Sequence, residues 1–297
     1  MKQIIVIARK EFGDRLRSGW VLACALVWLG AISLTSLFGL VQIGKIGVQG
    51  YERTVASLLD LVQYLVPLLG LLLGHDLLVS EREERTLSLL VSGGVKRRNL
   101  LAGKLLGGSL GLSLPLLLGF SIAGILIGLS TKDSAIFPFF KLALSGLLLG
   151  CIFLAVGLCI STFSRTRVQA LVFALLTWCL VVFAFDLVAL GCVVVGTTPQ
   201  ATREVEAVTD ATHINNVADV HAAFESGEDA ATRSARRAPS RAMEALLAVN
   251  PVDLFRALNL PKETMPTLPL AAAVASLLFW AGGATTAALW RLNRLDL

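Results

Sequence analysis

The side chains of this protein that could do chemistry are charged ones, and their spacing fits no catalytic motif. His75, His213 and His221 stand apart, without the short separations of metal ligands. Cys24, Cys151, Cys159, Cys179 and Cys192 all lie in or beside apolar runs with no paired spacing, and read as small buried hydrophobes rather than disulfide partners or ligands. Gly103-Lys104 is followed by Leu105 instead of Ser or Thr, and no glycine precedes it at the distance a phosphate-cradling loop needs. Neither HExxH nor G-x-S-x-G occurs. Two features remain. One is a set of ionisable residues at the edges of apolar runs: Asp60, His75, Asp76, Lys141 and Asp186. Deep in a bilayer such groups are functional by default. Asp60 and Asp186 could work as a carboxylate pair only at one depth and with one pKa raised, and no motif accompanies them. Asp60, Asp76 and Asp186 are therefore candidates for lining a pathway or pairing between subunits, beside a plain structural role at the membrane boundary. The other feature is a dense charged segment from Ser80 to Lys104.

The elements that must position these residues are membrane helices. Positions 19–44, 105–131, 142–164 and 264–290 carry no charge, and two further runs, around 61–74 and 168–185, are lengthened by nearby apolar residues across one acidic position. A helix rises about 1.5 Å per residue, so about 20 apolar residues cross a hydrocarbon core of about 30 Å. Backbone amides cannot stay unpaired in lipid, so each run must be helical. The composition agrees: 55% of the 297 residues are hydrophobic and only 16% charged, well under a soluble domain. The net charge of +5 would suggest nucleic acid, but its distribution along the chain points to a membrane. The fold class expected is all-α, a polytopic membrane protein of six transmembrane helices.

Lys and Arg are sorted between the loops. Residues 1–18, 80–104, 162–168 and 291–297 are rich in them, while the alternate short loops hold only Lys45, Arg53, Lys132 and Lys141. The positive-inside rule then places both termini and the 80–104 loop in the cytoplasm, and 197–266 outside. Within 1–18, Ile5, Ala8, Phe12 and Leu16 recur at helical spacing, which predicts a helix lying on the inner surface. Trp20 and Trp290 stand where an aromatic belt is expected. Gly103, Gly107 and Gly111 form overlapping small-xxx-small spacings, suited either to packing within the chain or to a dimer seam. Residues 198–245 are poor in large apolar side chains and read as an outer insert. After it, Asn250-Pro251-Val252-Asp253 is a helix start: Asn at the cap, Pro at the first position, Asp at the positive dipole end. Leu254, Phe255 and Leu258 make that short helix apolar on one side, able to dip into the outer leaflet. The domain layout is thus 1–18, 19–196, 197–266 and 267–297.

The segment 80–104 runs from a charge cluster through a short apolar stretch and a Gly-Gly break into a basic run, which predicts a stiff charged helical projection. Its pattern resembles the cytoplasmic loop of type-2 ABC transporter permeases: an acidic cluster, Gly-Thr-Leu, a short apolar stretch, Val-x-Arg and Gly-Lys. Here these are Glu81, Glu83 and Glu84, then Thr86-Leu87, Val95, Arg97 with Arg98, and Gly103-Lys104, with Arg85 where the family usually has Gly. The opening Ala8-Arg9-Lys10-Glu11-Phe12 also resembles that family. Phe185-Asp186-Leu187 and the stretch from Asn250 to Leu260 resemble more closely the NosY-like permeases linked to maturation of nitrous oxide reductase. The likeness covers nearly the whole chain except about 198–245.

This resemblance implies a homodimeric, non-enzymatic permease subunit in the bacterial inner membrane. ATP and Mg would be bound by a separate cytoplasmic ABC ATPase, and 80–104 would be the element that meets it. It implies no cofactor or metal on this chain, a periplasmic partner protein, and a copper or sulfur species as cargo, with Asn250, Pro251, Asp253, Leu254 and Phe255 as an outer gate or partner contact. The alternatives left open are an exporter of lipid, peptide or drug, and a scaffold that does not transport.

Overall fold

A computed structural model describes residues 2–41, 48–130, 136–184, 187, 250–259 and 270–294. Asp186 and the insert 198–245 lie outside the described residues. The chain divides into two compact units, 1–182 with 248–297, and 183–247. Of the second, only Phe183, Ala184 and Leu187 are described; all other described residues belong to the first.

The described residues are helical, with no strand among them. Helix α1 is Lys2–Arg17, α2 Gly19–Val41, α3 Val48–Gly74, α4 Val79–Glu83, α5 Thr86–Ser92, α6 Arg97–Ser130, α7 Ile136–Phe163 and α8 Arg167–Cys179. A π turn, Leu180–Ala184, comes after α8; α9 is Pro251–Asn259 and α10 Leu270–Asn293. Among the described residues, four helical stretches are long and apolar enough to cross a membrane: Gly19–Leu37, Val55–Glu83, Arg97–Gly128 and Pro138–Phe163. Arg167–Phe183 is apolar but shorter. Leu22, Leu26, Ile125, Leu148 and Phe279 point outward, as lipid-facing side chains do.

Glycines set the closest approaches. A Cβ on Gly74 would lie 2.5 Å from the Leu154 carbonyl oxygen and 2.9 Å from the Cα of Gly157, so α3 and α7 touch backbone to backbone. Gly119 on α6 makes room for Trp28 of α2, whose ring stands edge-on to Phe120 with centroids 5.3 Å apart. The stripe Gly103/Gly107/Gly111 is used within the chain. It receives α1: a Cβ on Gly107 would lie 2.6 Å from the Ala8 carbonyl oxygen, and one on Gly111 3.1 Å from Arg15 Cβ.

The helix packing extends one expectation and corrects another. The face that α1 turns to α6 carries Ile7, Ala8, Glu11 and Arg15, whereas Ile5 and Leu16 of the apolar stripe are exposed. The reason is electrostatic: Glu11 and Arg15 find partners on α6 and just after α3, so the charged side goes inward and the apolar side is left for lipid. Helix α9, in turn, does not offer Leu254 and Phe255 to a leaflet. Pro251, Val252, Leu254 and Phe255 are buried among α3, α7 and α10. The bundle supplies the cover that a short apolar helix requires.

Candidate coupling site

Helix α3 ends at Gly74, and the chain turns through 75–78 before α4. The hydroxyl oxygen of Ser161, from α7, accepts hydrogen bonds from the amides of Leu78 (3.0 Å) and Val79 (2.9 Å), satisfying donors that a helix start leaves free. Between α4 and α5 the backbone of Arg85 is left-handed, with φ +57°. That explains why glycine suits this position: the conformation costs an L-residue about 1 kcal/mol and glycine almost nothing. The Thr86 hydroxyl donates to the Glu81 carbonyl across the turn, and Gly93-Gly94 ends α5. Leu87 is buried and Val95 half-buried against the core, so 80–104 folds back on the bundle rather than projecting from it.

The acidic cluster divides in two. Glu81 turns inward, where Lys104 Nζ donates to its Oε1 at 2.9 Å and to Glu11 Oε2 at 2.9 Å. Arg15 Nε bonds Glu11 Oε1 at 3.0 Å, and its Nη2 bonds Asp76 Oδ1 at 2.8 Å. The result is one alternating chain, Asp76–Arg15–Glu11–Lys104–Glu81, joining α1, α4, the start of α6 and the turn after α3. Lys104 is only 3% exposed and Arg15 8%. Burial opposes the charge on Arg15, but Asp76 and Glu11 outweigh it and hold the guanidinium pKa above its ordinary value. The chain borders a cleft of about 260 Å³ whose wall also includes Lys10, Asp14, Ser80 and Glu84.

Glu83 and Glu84 turn outward and are exposed. Glu83 accepts from the Arg167 backbone amide at 2.8 Å and from its Nε at 3.0 Å, and Glu84 bonds Arg167 Nη2. The start of α8 is thereby held to the α4–α5 turn. Of the basic run, Arg97 donates to the Leu292 carbonyl near the end of α10 at 2.7 Å, while Arg98 is exposed. Gly103 and Lys104 face α1, so they serve contacts within the chain. Sequence reasoning grouped Glu81 with Glu83 and Glu84 and left out Arg15, Glu11 and Arg167. The only signal for the first two was their i,i+4 spacing of opposite charges.

At the other end, Asn250 caps α9: its Oδ1 accepts from the Val252 amide at 3.0 Å, and its Nδ2 donates to Asp253 Oδ2 (2.8 Å) and to the Val181 carbonyl in the π turn (3.1 Å). Arg256 Nε donates to Gln63 Oε1 at 2.9 Å, and Gln63 Nε2 donates to Asp60 Oδ1 at 3.1 Å. Asp60 is itself exposed. Asp60 therefore joins the α9 network and Asp76 the buried chain of charges.

Known proteins place this arrangement. The sequence profile described as ABC-2 family transporter protein matches residues 5–297. The chain is 38% identical over 198 residues to the "Probable ABC transporter permease protein NosY" of Pseudomonas aeruginosa, covering 65% of this chain and 72% of that one. It is 36% identical over 198 residues to the protein of the same name in Stutzerimonas stutzeri, with the same two coverages. The chain thus belongs to the ABC-2 family of transporter proteins.

Proposed function

We propose that this chain is the permease subunit of an ABC transporter. It works as a homodimer of six-span subunits in the bacterial inner membrane, with both termini cytoplasmic. A separate cytoplasmic ATPase binds ATP and Mg and supplies the energy. By its similarity to the NosY proteins, the transporter serves nitrous oxide reductase maturation, moving a copper or sulfur species, with a periplasmic protein as the receiving partner.

The observation that supports this best is the two-sided build of 80–104. Its inner side is joined to α1 and α6 by buried charges, and its outer side presents Glu83, Glu84 and Leu89 to solvent. A membrane anchor needs no such linkage, whereas a subunit that receives motion from a partner does.

Charge reversal at Glu83 and Glu84 tests it. Glu83→Lys/Glu84→Lys should leave the permease inserted but uncouple ATP hydrolysis from transport or release a co-expressed ATPase. Because both residues also hold Arg167, the triple variant with Arg167→Glu restores the internal pairing. Coupling should stay lost in it. Recovery of coupling would make the acids an internal clamp and overturn the ATPase contact, and failure of the wild-type chain to bind any ATPase would end the reading.

A further inference from the structure

Where α4, α7 and α10 end, the structure gathers positive charge with no balancing acid among the described residues. Arg82 is on the last turn of α4 and Arg291 on the last turn of α10, while Arg165 lies two residues beyond α7. The three are near enough for Arg291 and Arg165 to act on Arg82 as like charges. Arg82 is held there by donating Nη1 to the Ser164 carbonyl at 3.2 Å. The acids around Arg82 in sequence are engaged elsewhere, Glu81 by Lys104 and Glu83 and Glu84 by Arg167. No carboxylate among the described residues pairs with Arg82, Arg165 or Arg291.

The level of this cluster identifies its counter-ion. Two apolar spans finish beside it, Val55–Glu83 and Pro138–Phe163. Two exposed aromatic rings mark the same level: the Arg291 guanidinium lies 5.9 Å from the Phe163 ring centre, and that of Arg294 lies 4.1 Å from the Trp290 ring centre. Phe163 is 44% exposed and Trp290 52%. Aromatic rings of this kind sit among lipid headgroups. Guanidinium forks match phosphate oxygens geometrically, and basic pockets between membrane helices on the cytoplasmic side suit anionic headgroups. A carboxylate on a soluble protein would have to displace lipid from around Phe163 and Trp290 to reach the same place.

We propose that Arg82, Arg165 and Arg291 form a discrete site for the phosphate of an anionic glycerophospholipid of the inner leaflet, with Phe163 and Trp290 against its glycerol and acyl portion. The site rests on the cytoplasmic orientation of these helix ends in the proposed transporter. Its occupant would neutralise the convergence of the α4, α7 and α10 ends, which includes the start of the coupling segment.

The test uses the full chain, purified in neutral detergent without any ATPase, and native mass spectrometry against phosphatidylglycerol and phosphatidylethanolamine. Wild type should retain phosphatidylglycerol over phosphatidylethanolamine. Arg165→Gln/Arg291→Gln, which keeps the Arg82 bond to Ser164, should weaken that retention roughly tenfold. Arg9→Gln/Arg17→Gln, which removes the same charge from exposed positions on α1, should not. Equal retention by the cluster variant, or equal loss in the α1 control, would overturn the site. So would displacement of the lipid by inorganic phosphate, which would make the site one for free anions. A cluster variant that keeps its lipid but releases a co-expressed ATPase would reassign the arginines to a protein contact. Since the lipid measurement contains no ATPase, failure of the transporter reading and failure of this site would be seen separately.

Discussion

Lys104 is nearly solvent-free and stands between two carboxylates, Glu11 and Glu81, each at 2.9 Å. Removing one member of a buried ion pair costs about 3 kcal/mol, because the remaining charge keeps its desolvation without its partner. Lys104→Met should therefore destabilise the detergent-solubilised chain by about that amount in a thermal or denaturant unfolding experiment. Adding Glu11→Gln should recover part of the loss, since the two carboxylates would no longer face each other uncompensated. A double variant no more stable than Lys104→Met would show that the chain of charges is not energetically connected. Sequence could not have shown this. Lys104 was legible as part of a motif, and Glu11 as part of the opening that resembles the family, but their pairing spans 93 positions. Arg85 was legible as a departure from the family pattern, and its left-handed backbone supplies the reason that pattern holds glycine.

Among the elements, α1 shows how far periodicity reaches. Its helical state followed from residue spacing, and Ile5 and Leu16 are exposed, as a helix lying on a membrane surface requires. Apolar periodicity carried no sign of the opposite face, where Glu11 and Arg15 meet countercharges. The glycine stripe of α6 was equally visible, and only coordinates could tell that its occupant is α1 rather than a second subunit. Gly107→Leu tests that occupant. Even the first added carbon would meet the Ala8 carbonyl at 2.6 Å and the Glu11 side chain, so α1 must lift from α6. A protease site engineered between Arg17 and Trp20 should become readily cleaved in the variant and remain resistant in the wild type. Unchanged protection would place α1 elsewhere. Helix α9 is the converse case: its cap was read correctly from Asn250-Pro251-Val252-Asp253, while its burial depended on the long-range bonds to Val181 and Gln63.

For the whole molecule, the charge-free runs conveyed the all-helical membrane architecture well, because lipid imposes a simple rule on composition. Among the described residues four stretches meet the length and hydropathy of a crossing, and Arg167–Phe183 is apolar but shorter. What no run of residues conveys is where helices touch backbone to backbone, as α3 and α7 do at Gly74 and Gly157. Gly74→Ala should lower coupled transport more than ATPase binding, since its Cβ would meet backbone at 2.5 Å; Gly30→Ala, with nothing within 4 Å, should be silent. Equal activity of the two variants would deny the contact any role. The position of that contact has a mechanical meaning. Gln63 lies about 16 Å along α3 from Gly74, while Glu81 follows Gly74 across the turn at 75–78. Gly70 meets Gly150 of α7 in the same way one turn earlier, so α3 and α7 are joined backbone to backbone over a full turn and cannot close further. A tilt of α4, which Ser161 ties to α7, would therefore move the α3–α7 pair as one body, and the Gln63–Arg256 bond would carry it into α9.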